Sequence, residues 1–101
     1  MKRFIIFYLL IANPAYALTQ QNLSVDKLGV QGSAIYFSVS SSLVTDCQWG
    51  NIYFSNESDF GKAAYANLLA AKSANKKLSR IDYSQAVAGG KCTLGLVEVR
   101  D

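Results

Sequence analysis

The sequence predicts a mainly β protein with one helix and one disulfide, an α+β class, and three observations point to it. Five segments carry the alternating apolar residues or the aromatic residues that are typical of strands. One alanine-rich segment instead repeats its apolar residues at helical spacing. The chain of 101 residues also has just two cysteines, Cys47 and Cys92. The predicted order is strand, strand, strand, helix, strand, strand.

The amino-terminal residues have the pattern of a signal peptide. Two basic residues precede the uninterrupted apolar run 4–12, which is much shorter than the ~20 residues of a membrane-spanning helix. Ala15 and Ala17 then provide the small residues at positions −3 and −1 of a cleavage site. We therefore expect a signal peptide over residues 1–17, a single domain over residues 18–101, and a secreted or periplasmic location. An uncleaved anchor is the alternative.

The net charge depends on whether the signal peptide is removed. The full chain has a formal charge of +3, from ten basic and seven acidic side chains. Without Lys2 and Arg3, eight basic side chains remain against seven acidic ones, so the mature domain is nearly neutral. A local basic cluster is best explained as the solvated end of a helix; it consists of Lys72, Lys76, Lys77 and Arg80. A nucleic-acid surface usually has a broader basic footprint, so we expect no nucleic-acid partner.

The two cysteines predict a disulfide between Cys47 and Cys92, because an even number of cysteines in an exported chain favours pairing. They are 45 positions apart, and closing a loop of that length is expected to stabilise the fold by about 4 kcal/mol. A reactive or metal-binding pair is the alternative. It is disfavoured because the chain has no histidine and no Cys-x-x-Cys spacing.

The first two strands are predicted to form a hairpin. Residues 23–30 alternate loosely, and residues 31–33 (Gln-Gly-Ser) supply a tight turn. Residues 34–39 alternate well, which places Tyr36 and Ser38 on the face opposite the apolar side chains.

The third strand is predicted over residues 47–54, but strict alternation divides its four core candidates between two faces. A bulge at Gly50 would shift the register, so that all four pack inward while Asn51 and Tyr53 point outward. The four core candidates are Cys47, Trp49, Ile52 and Phe54. We therefore expect Trp49 to pack in the core against the disulfide.

The remaining elements are a helix and two strands. The helix is predicted from Phe60 to Lys72, after the polar residues 55–59 that offer caps and negative charge to its first turn. Its apolar face is expected to consist of Phe60, Ala64, Leu68 and Ala71. Strands are predicted over residues 78–83 and 91–100, with a flexible turn containing Gly89 and Gly90 between them.

This order of elements is that of an OB-fold, a five-stranded Greek-key barrel with a helix after the third strand. We therefore predict an OB-like five-stranded barrel. A cystatin-like or ferredoxin-like sheet is the structural alternative, but both usually place a helix earlier in the chain.

Besides the order of elements, three segments can be compared with known families: Cys47-Gln48-Trp49-Gly50, the helix from Phe60 to Lys72, and the strand Arg80-Ile81-Asp82-Tyr83. In its layout and in these segments the chain resembles the binding (B) subunits of bacterial AB5 toxins, especially the subtilase-cytotoxin type, over most of residues 23–100. It is similar as well to small exported bacterial proteins of unknown function. The toxin resemblance implies a homo-oligomeric ring that binds cell-surface glycans, but it assigns no sugar-contacting residue to this chain.

The sequence lacks the residues that several kinds of catalytic and metal site require. Without histidine, serine-hydrolase triads, cysteine–histidine dyads and histidine-rich metal sites have no base or ligand. No glycine-rich phosphate cradle is present. We therefore expect no catalytic residue, no metal and no cofactor. A small hydrolase that uses a pair of carboxylates is the remaining catalytic hypothesis.

A candidate ligand-binding face follows from the alternation of the second and third strands. Tyr36, Ser38, Asn51 and Tyr53 are predicted to share one outward face, where tyrosine rings can stack on sugars or fill protein interfaces. The alternative is that they are ordinary strand residues. We therefore expect an exported noncatalytic protein that binds a glycan or a protein receptor. A monomeric periplasmic inhibitor or accessory protein that binds an enzyme is the alternative.

Overall fold

The computed structural model describes residues 16–100, which form six strands, one α-helix and a short 3-10 turn. The strands are β1 (Tyr16–Leu23), β2 (Val25–Gln31), β3 (Ala34–Val39), β4 (Ile52–Ser55), β5 (Leu78–Gln85) and β6 (Cys92–Val99). The helix α1 is Asp59–Ala74, and the 3-10 turn is Gln48–Gly50. The mainly β class with one helix is therefore confirmed. Within residues 16–100, no helix has the length and apolar character needed to span a membrane.

The six strands form one sheet in the order β1-β5-β6-β4-β3-β2. Neighbouring strands are antiparallel, except that β4 and β6 are parallel. The predicted five-stranded OB-like barrel fits this sheet only roughly, because the sheet has six strands and does not close into a barrel.

The additional strand comes from one bent segment, residues 16–31. Its first half, β1, pairs with β5 at one end of the sheet, and its second half, β2, pairs with β3 at the other end. Only Ser24 separates the two halves, and Asn22, two residues before it, has a positive φ of 61°. If this segment is counted once, the element order is the predicted one. The first strand was predicted over residues 23–30, so β1 was missed.

The predicted signal peptide lies almost entirely outside the described residues. Tyr16 and Ala17 are the exceptions, and they pair with Gln85 and Ser84 at the start of β1. Cleavage after Ala17 would therefore remove two residues of β1 and leave the strand from Leu18 onward.

The core lies between one face of the sheet and α1. Its residues are apolar and less than a tenth exposed; they include Leu23, Ile35, Phe37, Ile52, Phe54, Ala64, Leu68, Ala71, Leu78, Ile81, Tyr83 and Leu94. Three of the four residues predicted for the apolar face of the helix are among them. The fourth, Phe60, is 41% exposed, and its ring packs edge-on against Phe54 with the centroids 6.4 Å apart.

The helix starts one residue before and ends two residues after the predicted Phe60–Lys72, and its amino-terminal cap lies in the predicted polar segment 55–59. The Ser58 hydroxyl accepts a hydrogen bond from the backbone N–H of Gly61 at 2.9 Å, which satisfies a free donor of the first turn. Asn75 ends the helix in the left-handed conformation, with φ 56°. Gly61 lies so close to β4 that a β-carbon there would be 1.7 Å from the carbonyl oxygen of Ser55. A glycine at this position is therefore what lets α1 lie close to the sheet.

The predicted disulfide is confirmed: Cys47 and Cys92 are bonded, with their α-carbons 5.4 Å apart. The third strand, however, does not begin at Cys47. Residues 48–50 form the 3-10 turn, in which Trp49 and Gly50 have positive φ angles of 58° and 70°. The irregularity predicted at Gly50 therefore exists, but it is a turn and not a bulge.

The prediction that Trp49 packs in the core was wrong. Its side chain is 72% exposed, whereas Cys47 beside it is only 3% exposed. The left-handed backbone of the turn breaks the strand alternation on which the prediction relied, so the indole points away from the disulfide.

Candidate functional site

Three of the four predicted site residues line one depression on the outer face of the sheet. Tyr36, Asn51 and Tyr53 share it with four residues that the sequence did not point to: Lys27, Val30, Gln31 and Trp49. The depression measures about 510 Å³, a size suited to a small ligand or part of a larger one. We call it the outer-face depression. Ser38 is not in its lining, but alternation along β3 puts it on the same side of the sheet as Tyr36.

Two tyrosines form the centre of the depression. Tyr36 and Tyr53 are register partners on β3 and β4, and their ring centroids are 5.7 Å apart at an interplanar angle of 42°. Tyr36 also lies across Gly29 of β2, where a β-carbon would be 2.4 Å from the Tyr36 Cζ. The absence of a side chain at position 29 therefore determines where this ring lies.

Tyr53 is less available to a ligand than its neighbours. Its side chain is only 9% exposed, and the Lys91 ammonium lies 4.9 Å from the ring centroid. Such a cation–π contact holds a positive charge beside the depression. Tyr53 is therefore suited to positioning Tyr36 and Lys91, and the ring surface open to a ligand comes chiefly from Trp49.

Trp49 is the most exposed large apolar residue of the described chain, and its backbone, as distinct from its side chain, is held in one conformation by its surroundings. A positive φ is an outlier for a bulky side chain and costs free energy, so the surrounding structure has to hold it. The Cys47 disulfide precedes the turn directly. The backbone N–H of Gln48 also donates to the carbonyl of Gly90 at 3.0 Å.

A buried glutamine strengthens this support. The Gln85 amide, 2% exposed, donates to the carbonyl oxygens of Asp46 and Gly90 at 3.0 and 2.9 Å. Its own oxygen accepts a hydrogen bond from the Thr45 hydroxyl at 3.1 Å. The turn that carries Trp49 is therefore tied to β5 and β6 by a covalent bond and by several hydrogen bonds.

Two polar atoms, one on Asn51 in the lining and one on Ser38 outside it, are buried without partners. The Asn51 Oδ1 and the Ser38 Oγ have no hydrogen-bond partner within residues 16–100, and each residue is 9% exposed. Most buried polar atoms in folded proteins are paired, because an unpaired one is costly. These two therefore need an explanation that the rest of the chain does not provide.

The charge of the outer-face depression is positive. Lys27 is in its lining and Lys91 lies beside Tyr53, whereas the seven lining residues include no acidic side chain. The depression therefore favours ligands that are neutral or anionic over cationic ones.

Other clusters of the described chain do not form a comparable site. A depression of about 490 Å³ is lined chiefly by the loop 41–47, and its lining includes no aromatic and no basic residue. A third depression, of about 380 Å³, lies where Asn22, Asn75 and Arg100 meet. Here the Arg100 guanidinium donates to the Asn22 side-chain oxygen at 2.9 Å, so these two groups bind one another.

Two acidic residues, Asp82 and Glu98, have side-chain partners at the surface. Arg80 donates two hydrogen bonds to Asp82, at 3.1 and 2.8 Å, and Thr19 donates a third at 2.8 Å. The guanidinium and then the hydroxyl hold the pKa of the Asp82 carboxyl below its ordinary value. A depressed pKa is the opposite of what a general acid needs. Within residues 16–100, no three potential metal ligands of the His, Cys, Asp and Glu types come together.

Two residues of the predicted basic cluster have separate partners. Lys72 donates to the backbone carbonyl of Asp26 at 2.8 Å, and Arg80 is paired with Asp82.

The sequence indicated Tyr36, Asn51 and Tyr53 because alternation places them on one face. It missed Trp49, Lys27 and Gly29. A signal for Trp49 was present in residues 47–54, where the apolar residues do not keep to one face under strict alternation. A turn explains that break in the alternation as well as a bulge does. Gly29 gave a weaker signal, as a glycine inside a strand often marks a close approach.

Comparisons with known proteins add no relative: no family model matches the chain, and no curated protein or solved structure matches it at a significant level.

Proposed function

We propose that this chain is an exported, noncatalytic protein that binds a saccharide in the outer-face depression. The observation that carries the proposal is Trp49, an exposed aromatic side chain held in a left-handed turn beside two packed tyrosines. Strained conformations persist where the surrounding structure enforces them, and they are concentrated at binding sites.

The chemistry of the depression suits a sugar. Aromatic rings offer a flat apolar surface to the C–H groups of a pyranose, while tyrosine hydroxyls and the Asn51 amide offer hydrogen bonds to its hydroxyls. Lys27 and Lys91 add positive charge. We therefore expect saccharides that carry a carboxylate or a sulfate to bind more tightly than neutral ones.

The location and the assembly are parts of the same proposal. A disulfide in a chain of this size is typical of oxidising compartments, which supports secretion or a periplasmic location. The resemblance to toxin B subunits implies a ring of identical copies, and a ring would raise the avidity of a shallow site.

The test is an array of immobilised sialylated, sulfated, uronic-acid and neutral saccharides, probed with the mature protein and with Trp49→Ala. We expect binding to an acidic subset and a loss of at least about tenfold in affinity for the variant. Val87→Ala is the matched control, because Val87 is 66% exposed on another loop, and it should bind like the wild type. Absence of binding to every saccharide would refute the proposal.

One observation favours the alternative, a monomer that binds an enzyme as an inhibitor or accessory protein. Val44, Trp49 and Val87 are all more than 60% exposed, on three segments joined near the Cys47–Cys92 bridge. Exposed apolar side chains on linked loops suit a protein interface. Sizing of the mature protein separates the two functions: a ring-sized species supports the first, and a monomer that binds no saccharide supports the second.

A further inference from the structure

We infer that Asn51 and Ser38 form the specificity-determining floor of the outer-face depression and accept a hydrogen bond from a neutral donor of the ligand, a saccharide hydroxyl. The inference rests on the proposed function and goes beyond it by naming the group that the site reads. Its starting point is the pair of buried oxygens, Asn51 Oδ1 and Ser38 Oγ, that have no partner within the described chain.

Ser38 lies on β3, and Asn51 is the extended residue directly before β4. Phe37 on β3 pairs with Ile52 on β4, so continuing the register by one position would bring Ser38 and Asn51 side by side. Alternation places both on the face opposite the core, on the side where Tyr36 and Tyr53 lie. Two unpaired oxygens are therefore expected near one another, on the side of the sheet that carries the two tyrosines.

The type of atom defines the complementary group. The side-chain oxygen of an asparagine accepts hydrogen bonds and cannot donate one. A carboxylate or a sulfate, which only accepts, therefore gains nothing at Asn51 Oδ1. A charged donor such as an ammonium group is disfavoured by Lys27 in the lining and Lys91 nearby. A neutral hydroxyl satisfies both conditions.

Access to the floor requires a small movement. Both oxygens are covered in the unliganded chain, so a hydroxyl reaches them once a neighbouring side chain moves aside. Lys27 and Trp49 line the same depression and are exposed, and exposed side chains change rotamer within nanoseconds. The backbone of the depression can remain as it is.

A floor of this kind discriminates strongly between saccharides. A site built to hydrogen-bond a hydroxyl rejects the analogue that lacks it, because the buried polar groups are then left unpaired. A deoxy sugar that lacks the recognised hydroxyl is therefore expected to bind at least about tenfold more weakly than the parent.

The floor also predicts a conflict between stability and binding. An unpaired buried oxygen destabilises the free protein, so replacing it by an apolar group of similar size removes that cost. Asn51→Leu and Ser38→Ala should therefore raise Tm, by on the order of 4 °C for Asn51→Leu. The same variants should weaken binding by about tenfold or more. A structural asparagine or serine would show the reverse change in Tm.

The experiment measures thermal unfolding and saccharide binding for the wild type and both variants. The binding probes are the sialylated, sulfated, uronic-acid and neutral saccharides of the array, followed by mono-deoxy derivatives of the saccharide that gives the strongest wild-type signal. Gln21→Leu and Ser84→Ala are the matched controls, because they make the same kinds of change in β1 and β5. They should leave both Tm and affinity close to those of the wild type.

The outcomes separate this inference from the proposed function. A higher Tm with weaker binding supports the inference. A lower Tm for both variants overturns it, because the two oxygens would then be satisfied in the free protein, for example by a buried water. Unchanged affinity overturns it as well. A wild type that binds no saccharide refutes the proposed function itself, and the inference with it.

Discussion

The ring of Tyr36 lies directly on Gly29, at a distance that leaves no space for a β-carbon between them. The residue on β2 thus sets the position of a ring on β3 without contributing a side chain to the site. This relationship allows the site to be disturbed while every side chain that lines it is retained.

Gly29→Ala is expected to weaken saccharide binding by about tenfold while changing the unfolding free energy by less than about 1 kcal/mol. The new methyl group would displace the flexible end of the Tyr36 side chain and not the backbone, so the cost to stability is small. Isothermal titration and urea unfolding measure the two quantities.

The control for this change is Gly95→Ala, whose β-carbon would make only an ordinary contact with the carbonyl of Asp82 at 3.7 Å. If the effect acts through the ring, Gly29→Ala should have no further effect in a Tyr36→Ala background. An equal loss of binding in that background would contradict the argument.

Gly61→Ala is expected to destabilise the protein by about 3 kcal/mol or more, although alanine is the better helix former. Intrinsic propensity favours alanine by about 1 kcal/mol, but the added carbon would meet the Ser55 backbone, which cannot give way as a side chain does. Urea unfolding gives the free energy. Ala66→Gly, an exposed position in α1, serves as the control and should cost only about 1 kcal/mol. A more stable Gly61→Ala protein would show that α1 does not need to lie this close to β4.

Replacing both cysteines, Cys47→Ala with Cys92→Ala, is expected to lower the unfolding free energy by about 4 kcal/mol. We also expect it to weaken binding, because the bridge precedes the strained turn of Trp49. Since Trp49 is the only tryptophan of the chain, its fluorescence reports on the turn directly. Undiminished binding by the double variant would mean that the hydrogen bonds of Gln48 and Gln85 suffice to hold the turn.

The loss of thermal stability at acidic pH is expected to depend on Asp82. Because its pKa is lowered in the folded state, its ionised form stabilises the fold above the ordinary carboxyl pKa. That contribution is lost as the pH falls through the lowered value. Asp82→Asn should therefore reduce Tm at neutral pH, and the difference from the wild type should disappear in strong acid. Thermal scans at a series of pH values measure it. A difference that stays constant over the whole range would exclude the Arg80–Asp82 pair as its source.

Local patterns were sufficient for the elements whose side chains alternate or repeat in register with the core. The bounds of β3 are those predicted, and α1 and β6 differ from prediction by one or two residues at each end. β1 was missed because Thr19, Gln21 and Asn22 are polar and exposed, so that this edge strand has no apolar alternation to detect. Its pairing with β5 is a long-range contact that no local pattern contains.

Alternation along the strands also predicted part of the candidate site. Tyr36 and Tyr53 follow from alternation on two strands. The exposure of Trp49 does not, because a tryptophan beside a bridged cysteine is ordinarily a core residue. Its orientation depends on the left-handed backbone of Trp49 itself, a conformation that sequence patterns do not predict for a bulky residue.

The bent segment 16–31 has a consequence for the way the chain reaches its folded form. The hydrogen bond between Thr19 and Asp82 spans 63 positions, so the first strand to leave the ribosome waits for one of the last to complete its sheet. For a chain threaded through a membrane from its amino end, as we propose, this delay is useful. Because β1 has no partner until the carboxy-terminal third has followed it, the sheet cannot be completed while the chain is being transported.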